Sequence, residues 1–284
     1  MGFVWLLIQL PYSWQQTLGK YLGLFAQYFA KRAASIAKTN LTLCFPTLSA
    51  EKRKLLLRQN FIALGQSSLA MAFGWWGAER RLRKLIKLKN LHFLEEILAK
   101  PQAALIFTPH FMGIHFVGRL INLVSPIKSA AMYLPPKNPV LAWLSWRAMQ
   151  KHYALAIERD DVRSLIRALK NKIPVFYTPD TDPGRKNSLF IPFFGVPAAT
   201  STATPRFAQL TGCAVLPLDF SPLPQAKGYE VCFEPALADF PSTTEKDLQI
   251  INRWLEARIR QQPQNYLWQY KRFKTRPVGE AKLY

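Results

Sequence analysis

The chain of 284 residues holds four histidines, and His110 stands where chemistry is easiest to build. Residues 103–107 (A-A-L-I-F) form an unbroken apolar run of the kind a fully buried strand makes. Thr108-Pro109 closes the run, His110 follows, and a helix is expected from about Gly113. Open α/β sheets place their reacting groups at the carboxyl ends of such strands. An imidazole titrates near neutrality, so it can take a proton from an attacking hydroxyl. Backbone N–H groups at the start of the next helix are the simplest donors to the resulting oxyanion. No G-x-S-x-G occurs, so no serine nucleophile is indicated beside this histidine. A second apolar run, I-P-V-F-Y-T at 173–178, delivers P-D-T-D-P-G-R at 179–185. Asp180 and Asp182 lie two apart, but no further Asp, Glu or His clusters with them in the sequence, and no metal or other cofactor is assigned.

The elements that must position these groups alternate. Strands are expected at 103–107, 127–134, 173–178, 213–220 and 228–234. Helices are expected from 49 to about 74, at 139–150, 161–170 and 245–261, and at 201–211 with a break near Pro205. That pattern is an α/β domain with a mixed sheet flanked by helices, and the chain shows no internal repeat.

The net charge of +21, from 38 Lys and Arg against 17 Asp and Glu, calls for an anionic partner. Eight Trp, ten Tyr and 19 Phe accompany the charge, a mixture suited to a membrane–water interface. No nucleic-acid-binding motif is present, and that class of partner is set aside. The three cysteines have no Cys-x-x-Cys spacing, which argues against a disulfide framework or a zinc site and for a reducing compartment. No cleavable signal is evident at the N-terminus. Residues 3–10 and 12–30 are apolar and aromatic, interrupted by Gln15, Gln16, Lys20 and Gln27 and followed by Lys31, Arg32 and Lys38. They read as an imperfect span or an interface-lying helix, and the division expected is a membrane-anchoring segment at 1–38 before a catalytic domain at 39–284. In the run at 79–89 (E-R-R-L-R-K-L-I-K-L-K) the leucines between charges suggest docking against headgroups.

Several blocks occur in a fixed order: N-L-T-L-C-F-P at 40–46, T-P-H-F at 108–111, Asn138-Pro139, and E-R-D-D-V-R-S-L-I-R-A-L at 158–169. D-T-D-P-G at 180–184, L-F-I-P-F-F-G at 189–195, A-A-T at 198–200 and Y-L-W-Q-Y-K-R-F-K-T-R-P at 266–277 complete the series. On these the chain resembles the lauroyl/myristoyl acyltransferases of lipid A biosynthesis, within the lysophospholipid acyltransferase superfamily. The resemblance implies a glycerol-3-phosphate-acyltransferase-like fold. It implies acyl transfer from acyl carrier protein to a hydroxyl of a phosphorylated lipid acceptor, at the cytoplasmic face of the inner membrane, with His110 as general base. Asp180, Asp182 and Gly184 then shape the acceptor pocket, Arg159, Arg185 and Lys186 are candidate phosphate contacts, and Lys271, Arg272, Lys274 and Arg276 face headgroups. Phe190, Pro192, Phe193 and Phe194 line the acyl channel or the core. Two departures stand out. The family signature is His, four residues, then Asp or Glu, whereas this chain has His115 in the acid's place. Asp180 or Asp182 can substitute for that acid; otherwise the chain is a weakened relative that binds lipid or acyl carrier protein. Leu134 stands where related sequences commonly carry Arg, which bears on acceptor identity.

Overall fold

A computed structural model describes residues 2–284, with side chains from Trp5 onward. The opening helices are α1 (Gly2–Gln9), α2 (Tyr12–Phe29), α3 (Lys31–Cys44), α4 (Ala50–Trp76) and the single turn α5 (Glu79–Leu82). The sheet region then runs β1 (Ile86–Lys89), α6 (His92–Leu98), β2 (Ala104–Phe107), α7 (Ile114–Val124), β3 (Ala130–Tyr133), α8 (Pro139–His152), β4 (Leu155–Glu158), α9 (Val162–Lys170) and β5 (Val175–Tyr177). The chain closes with β6 (Ser188–Phe193), β7 (Val196–Ser201), α10 (Ala203–Thr211), β8 (Ala214–Pro222), β9 (Tyr229–Phe233) and α11 (Thr244–Gln261).

Seven strands make one sheet in the order β1-β9-β8-β2-β5-β3-β4, with β6 and β7 a separate hairpin. Five neighbours, β8 through β4, run parallel; β9 is antiparallel to β8, and β1 runs with β9. Strand β2 lies in the middle and all four of its residues are buried, as an unbroken apolar strand covered on both faces must be. After β2 the chain crosses toward β3, and after β5 it returns toward β8. The carboxyl ends of neighbouring β2 and β5 therefore open into a crevice where chains depart in opposite directions.

Three sequence expectations are corrected here. Among the described residues no helix is long and apolar enough to cross a membrane. Instead of one span, residues 2–44 break into three helices, and α2 buries Gln15, Gly19 and Gly23 while exposing Trp14, Tyr21, Phe25, Tyr28 and Phe29. Gln15, read as an interruption, donates to the carbonyls of Ile8 and Leu10 and ties α1 to α2. The first residue of the 1–38 segment lies outside the described residues. Second, the 79–89 run is a turn followed by the strand β1: Leu82 and Leu85 enter the core, while Lys87 and Lys89 meet Glu230 at 3.1 and 2.7 Å. Third, Pro205 does not break α10. It sits in the first turn, where its missing N–H had no helical acceptor, so the helix starts there.

Candidate active site

His110 follows β2, and Asp180 follows β5, so the pairing of these two strands (Phe107 beside Tyr177) brings the residues together across 70 positions of sequence. Asp180 grips His110 twice. Its Oδ2 accepts the backbone N–H of His110 at 2.9 Å, and its Oδ1 lies 2.5 Å from ring Nδ1. The carboxylate is 1% exposed. Burial alone would raise its pKa, but the attraction of the adjacent His110 ring for a carboxylate and the hydrogen bonds from His110 overcome this and hold it below the ordinary carboxylate range. On the far side of the ring Thr178 Oγ1 lies 3.0 Å from Nε2. These partners assign the tautomer: Nδ1–H donates to Asp180, and the Nε2 lone pair accepts from the Thr178 hydroxyl.

The free edge of His110 opens into a cavity of about 610 Å³, within the ordinary size range for ligand sites. Its wall is largely apolar, with Val117, Met132, Met149, Ile166 and Phe176 among the contributors. Arg159 and Arg206 lie at its border, both exposed, with Leu134 beside them at 62% exposure. Arg206 carries no motif signal in the sequence; α10 brings it to the cavity.

His115 sits in the first turn of α7 and also lines this cavity. Its side chain is exposed to this partly open cavity, with protein atoms on the surrounding walls. Enclosure pushes its pKa down to about 4, with repulsion from His110 adding to the effect. It does not hold His110; Asp180 occupies that role.

The 180–186 loop divides. Thr181, Pro183 and Asn187 face the cavity, whereas Asp182, Gly184, Arg185 and Lys186 do not. Asp182, 5% exposed, accepts from the Thr275 N–H at 2.7 Å, the Thr275 hydroxyl at 2.8 Å and the Gly184 N–H at 2.9 Å. Gly184 has φ +84, a conformation suited to glycine at this turn. Arg185 donates to the Arg276 carbonyl at 2.6 Å, and Lys186 is exposed. With both carboxylates engaged by protein donors, the pair does not converge on a cation. No group of three or more His, Cys, Asp or Glu gathers elsewhere among the described residues.

The terminal block holds the His110 loop from behind. Leu267 N–H donates to the His110 carbonyl at 3.0 Å, and Met112 N–H donates to the Asn265 carbonyl at 2.6 Å. Asn60 on α4 donates to the carbonyls of Gln264 and Tyr266, and Asn40 on α3 to those of Trp268 and Tyr270, each within 2.9 Å. Arg272, expected to face headgroups, is 2% exposed; it donates to the Ala199 carbonyl at 2.7 Å and stacks over Phe193. Its apolar surroundings and backbone acceptor fix it inside. Arg276 donates to the Pro197 carbonyl at 2.7 Å and pairs with Glu280. Phe193 and Phe194 belong to the core rather than to the cavity wall.

Comparison with known proteins adds a family. The model of the bacterial lipid A biosynthesis acyltransferases matches residues 1–275. The lipid A biosynthesis palmitoleoyltransferase of Escherichia coli (strain K12) is 34% identical over 285 residues, covering 100% of this chain and 92% of the relative. The lipid A biosynthesis lauroyltransferase of the same organism is 31% identical over 287 residues, covering 100% and 93%. The lipid A biosynthesis myristoyltransferase of that organism is 25% identical, covering 93% and 82%.

Proposed function

Because the chain belongs to the bacterial lipid A biosynthesis acyltransferase family, we propose that it moves a fatty acyl chain from acyl carrier protein to a hydroxyl of a phosphorylated lipid A precursor. His110 is the general base, and no acyl-enzyme forms. The observation that carries this reading is the ring of His110, oriented by buried Asp180 and presenting Nε2 to a largely apolar cavity.

The acceptor hydroxyl takes over the hydrogen bond that the Thr178 hydroxyl makes to Nε2. As its oxygen attacks the thioester carbon, its proton passes to Nε2 and the imidazolium is stabilised by Asp180. The C–S bond then breaks, and the leaving thiolate takes that proton. The apolar wall holds the acyl chain, and Arg159 and Arg206 at its border meet phosphate. Asp180 also answers the departure at position 115. A carboxylate is present at Nδ1, so the absence of the family acid gives no reason to read the chain as a binder without turnover.

Membrane association belongs to the same proposal. Residues 1–38 dock at the cytoplasmic face of the inner membrane, lying in the interface, and residues 39–284 form the catalytic domain. The exposed Trp14, Tyr21, Phe25, Tyr28 and Phe29 on α2, with Lys20, Lys31 and Arg32 nearby, support this. The test is transfer of labelled acyl groups from acyl carrier protein thioesters of several chain lengths to a panel of lipid A precursors and lysolipids. Transfer to a phosphorylated precursor by wild type and none by His110→Ala is the expected result; carrier binding with no transfer to any acceptor would overturn it.

A further inference from the structure

His115 is a polar ring facing the same cavity as His110, yet it makes no hydrogen bond with any group among the described residues. An imidazole that lines the same cavity as His110, exposed to it and without a protein partner, is free to meet a ligand there. The expected source of oxyanion donors, the backbone between His110 and α7, is largely spent. The N–H of Phe111 donates to the Pro109 carbonyl at 2.6 Å, that of Met112 to the Asn265 carbonyl at 2.6 Å and that of Ile114 to the Phe111 carbonyl at 3.2 Å. The His115 side chain projects from the first turn of α7, on the positive end of that helix's dipole.

We infer that the His115 imidazole donates its N–H to the carbonyl oxygen of the acyl thioester and stabilises the oxyanion that forms there. The inference rests on the acyl-transfer reading above and goes beyond it by giving the residue in the family acid's place a different task. A neutral ring suits that task. It carries an N–H to donate, and it adds no positive charge that would compete with the imidazolium forming at His110. The division of labour follows from geometry: Asp180 already fills Nδ1 of His110 at 2.5 Å, so a carboxylate at position 115 has no His110 N–H left to accept. Placed beside the developing oxyanion, that carboxylate would repel it.

Three variants test this. His115→Phe keeps a ring without a donor, His115→Gln restores a neutral donor, and His115→Asp installs the family acid. Loss of one oxyanion donor predicts a fall of about 10²–10³-fold in kcat for His115→Phe, with little change in KM for the acyl donor. His115→Gln recovers at least about tenfold of that loss, and His115→Asp is no faster than His115→Phe. Should His115→Phe fail to fold, the comparison of His115→Gln with His115→Asp decides alone, both being polar. Wild-type kcat in His115→Phe, or a rate in His115→Asp at or above wild type, overturns the inference. If wild type transfers no acyl group at all, it is the acyl-transfer reading that fails; transfer by wild type that ignores position 115 sinks only the role given to His115.

Discussion

At the scale of single residues the chemistry turns on which nitrogen of His110 carries a proton. Asp180 holds Nδ1–H, which leaves the Nε2 lone pair for the proposed role as base. An amide in place of Asp180 can donate to Nδ1 and favour the opposite tautomer, so Asp180→Asn is expected to lower kcat by about 10⁴-fold. Steady-state transfer rates check this, and a loss of less than about tenfold would show that another group orients the ring. His115 makes a separate prediction about stability. Its folded pKa of about 4 lies below the ordinary histidine value of 6.5, so between those values the unfolded chain binds more protons. Stability therefore rises with pH across that window through this group, and its contribution is flat above it. Melting temperature against pH should rise less steeply in His115→Phe than in wild type; parallel curves would show that the ring is not held neutral. The base was legible because an apolar run ending in His110 reads as a strand end. Its acid was open between Asp180 and Asp182, since nothing in a two-residue spacing says which carboxylate faces the ring. The parallel register of β2 and β5 decides it.

At the scale of elements, two devices fasten the N-terminal helices to the sheet. Asn60 supplies one amide group to two backbone carbonyls of the terminal block, at 2.9 and 2.7 Å, and is 0% exposed. Asn60→Ala removes both bonds and leaves the Gln264 carbonyl without its side-chain donor, while Tyr266 keeps the Trp268 N–H, a cost of about 1–3 kcal/mol that denaturant unfolding would measure. Helix α2 meets α4 backbone to backbone: a methyl group on Gly65 would collide with the main chain of Gly19 and Gly23. Gly65→Val therefore forces the two helices apart and should cost about 3 kcal/mol by the same measurement. A value near zero would mean that α2 is not docked as described. The central strands and long helices were readable from apolar runs and periodicity. The edge strand β4 was not, because it is half solvated and its pattern is too short to register. The hairpin of β6 and β7 was also missed. It turns through Phe194 (φ +53) and Gly195 (φ +78), and a Phe in the first of two left-handed positions gives none of the usual turn signal. The aromatics of α2 fit a span or an interface-lying helix equally well from sequence, and the packing of Gly19 and Gly23 against α4 is what the apolar pattern does not reveal.

At the scale of the whole molecule, the chain carries a net charge of +21 and exposes a band of aromatics on α1 and α2, the two features on which the proposed membrane docking rests. Trp5, Trp14, Phe25 and Phe29 are each at least 60% exposed. Replacing Trp14, Phe25 and Phe29 together by Ser should lower partitioning onto anionic vesicles about a hundredfold or more, given about 1.5–3 kcal/mol for each buried ring. Co-sedimentation would show this, and undiminished binding would place the lipid contact elsewhere. The proposed reaction needs a lipid acceptor and an acidic carrier to meet at the His110 cavity, and the transfer step there decides it. Single-turnover transfer from a labelled acyl carrier protein thioester, compared between wild type and His110→Ala, tests it most directly. Transfer slowed by at least about 10³-fold in the variant, with no label ever on the protein, is the predicted result. A variant that keeps pace with wild type, or labelled acyl groups covalently held by the enzyme, would contradict it.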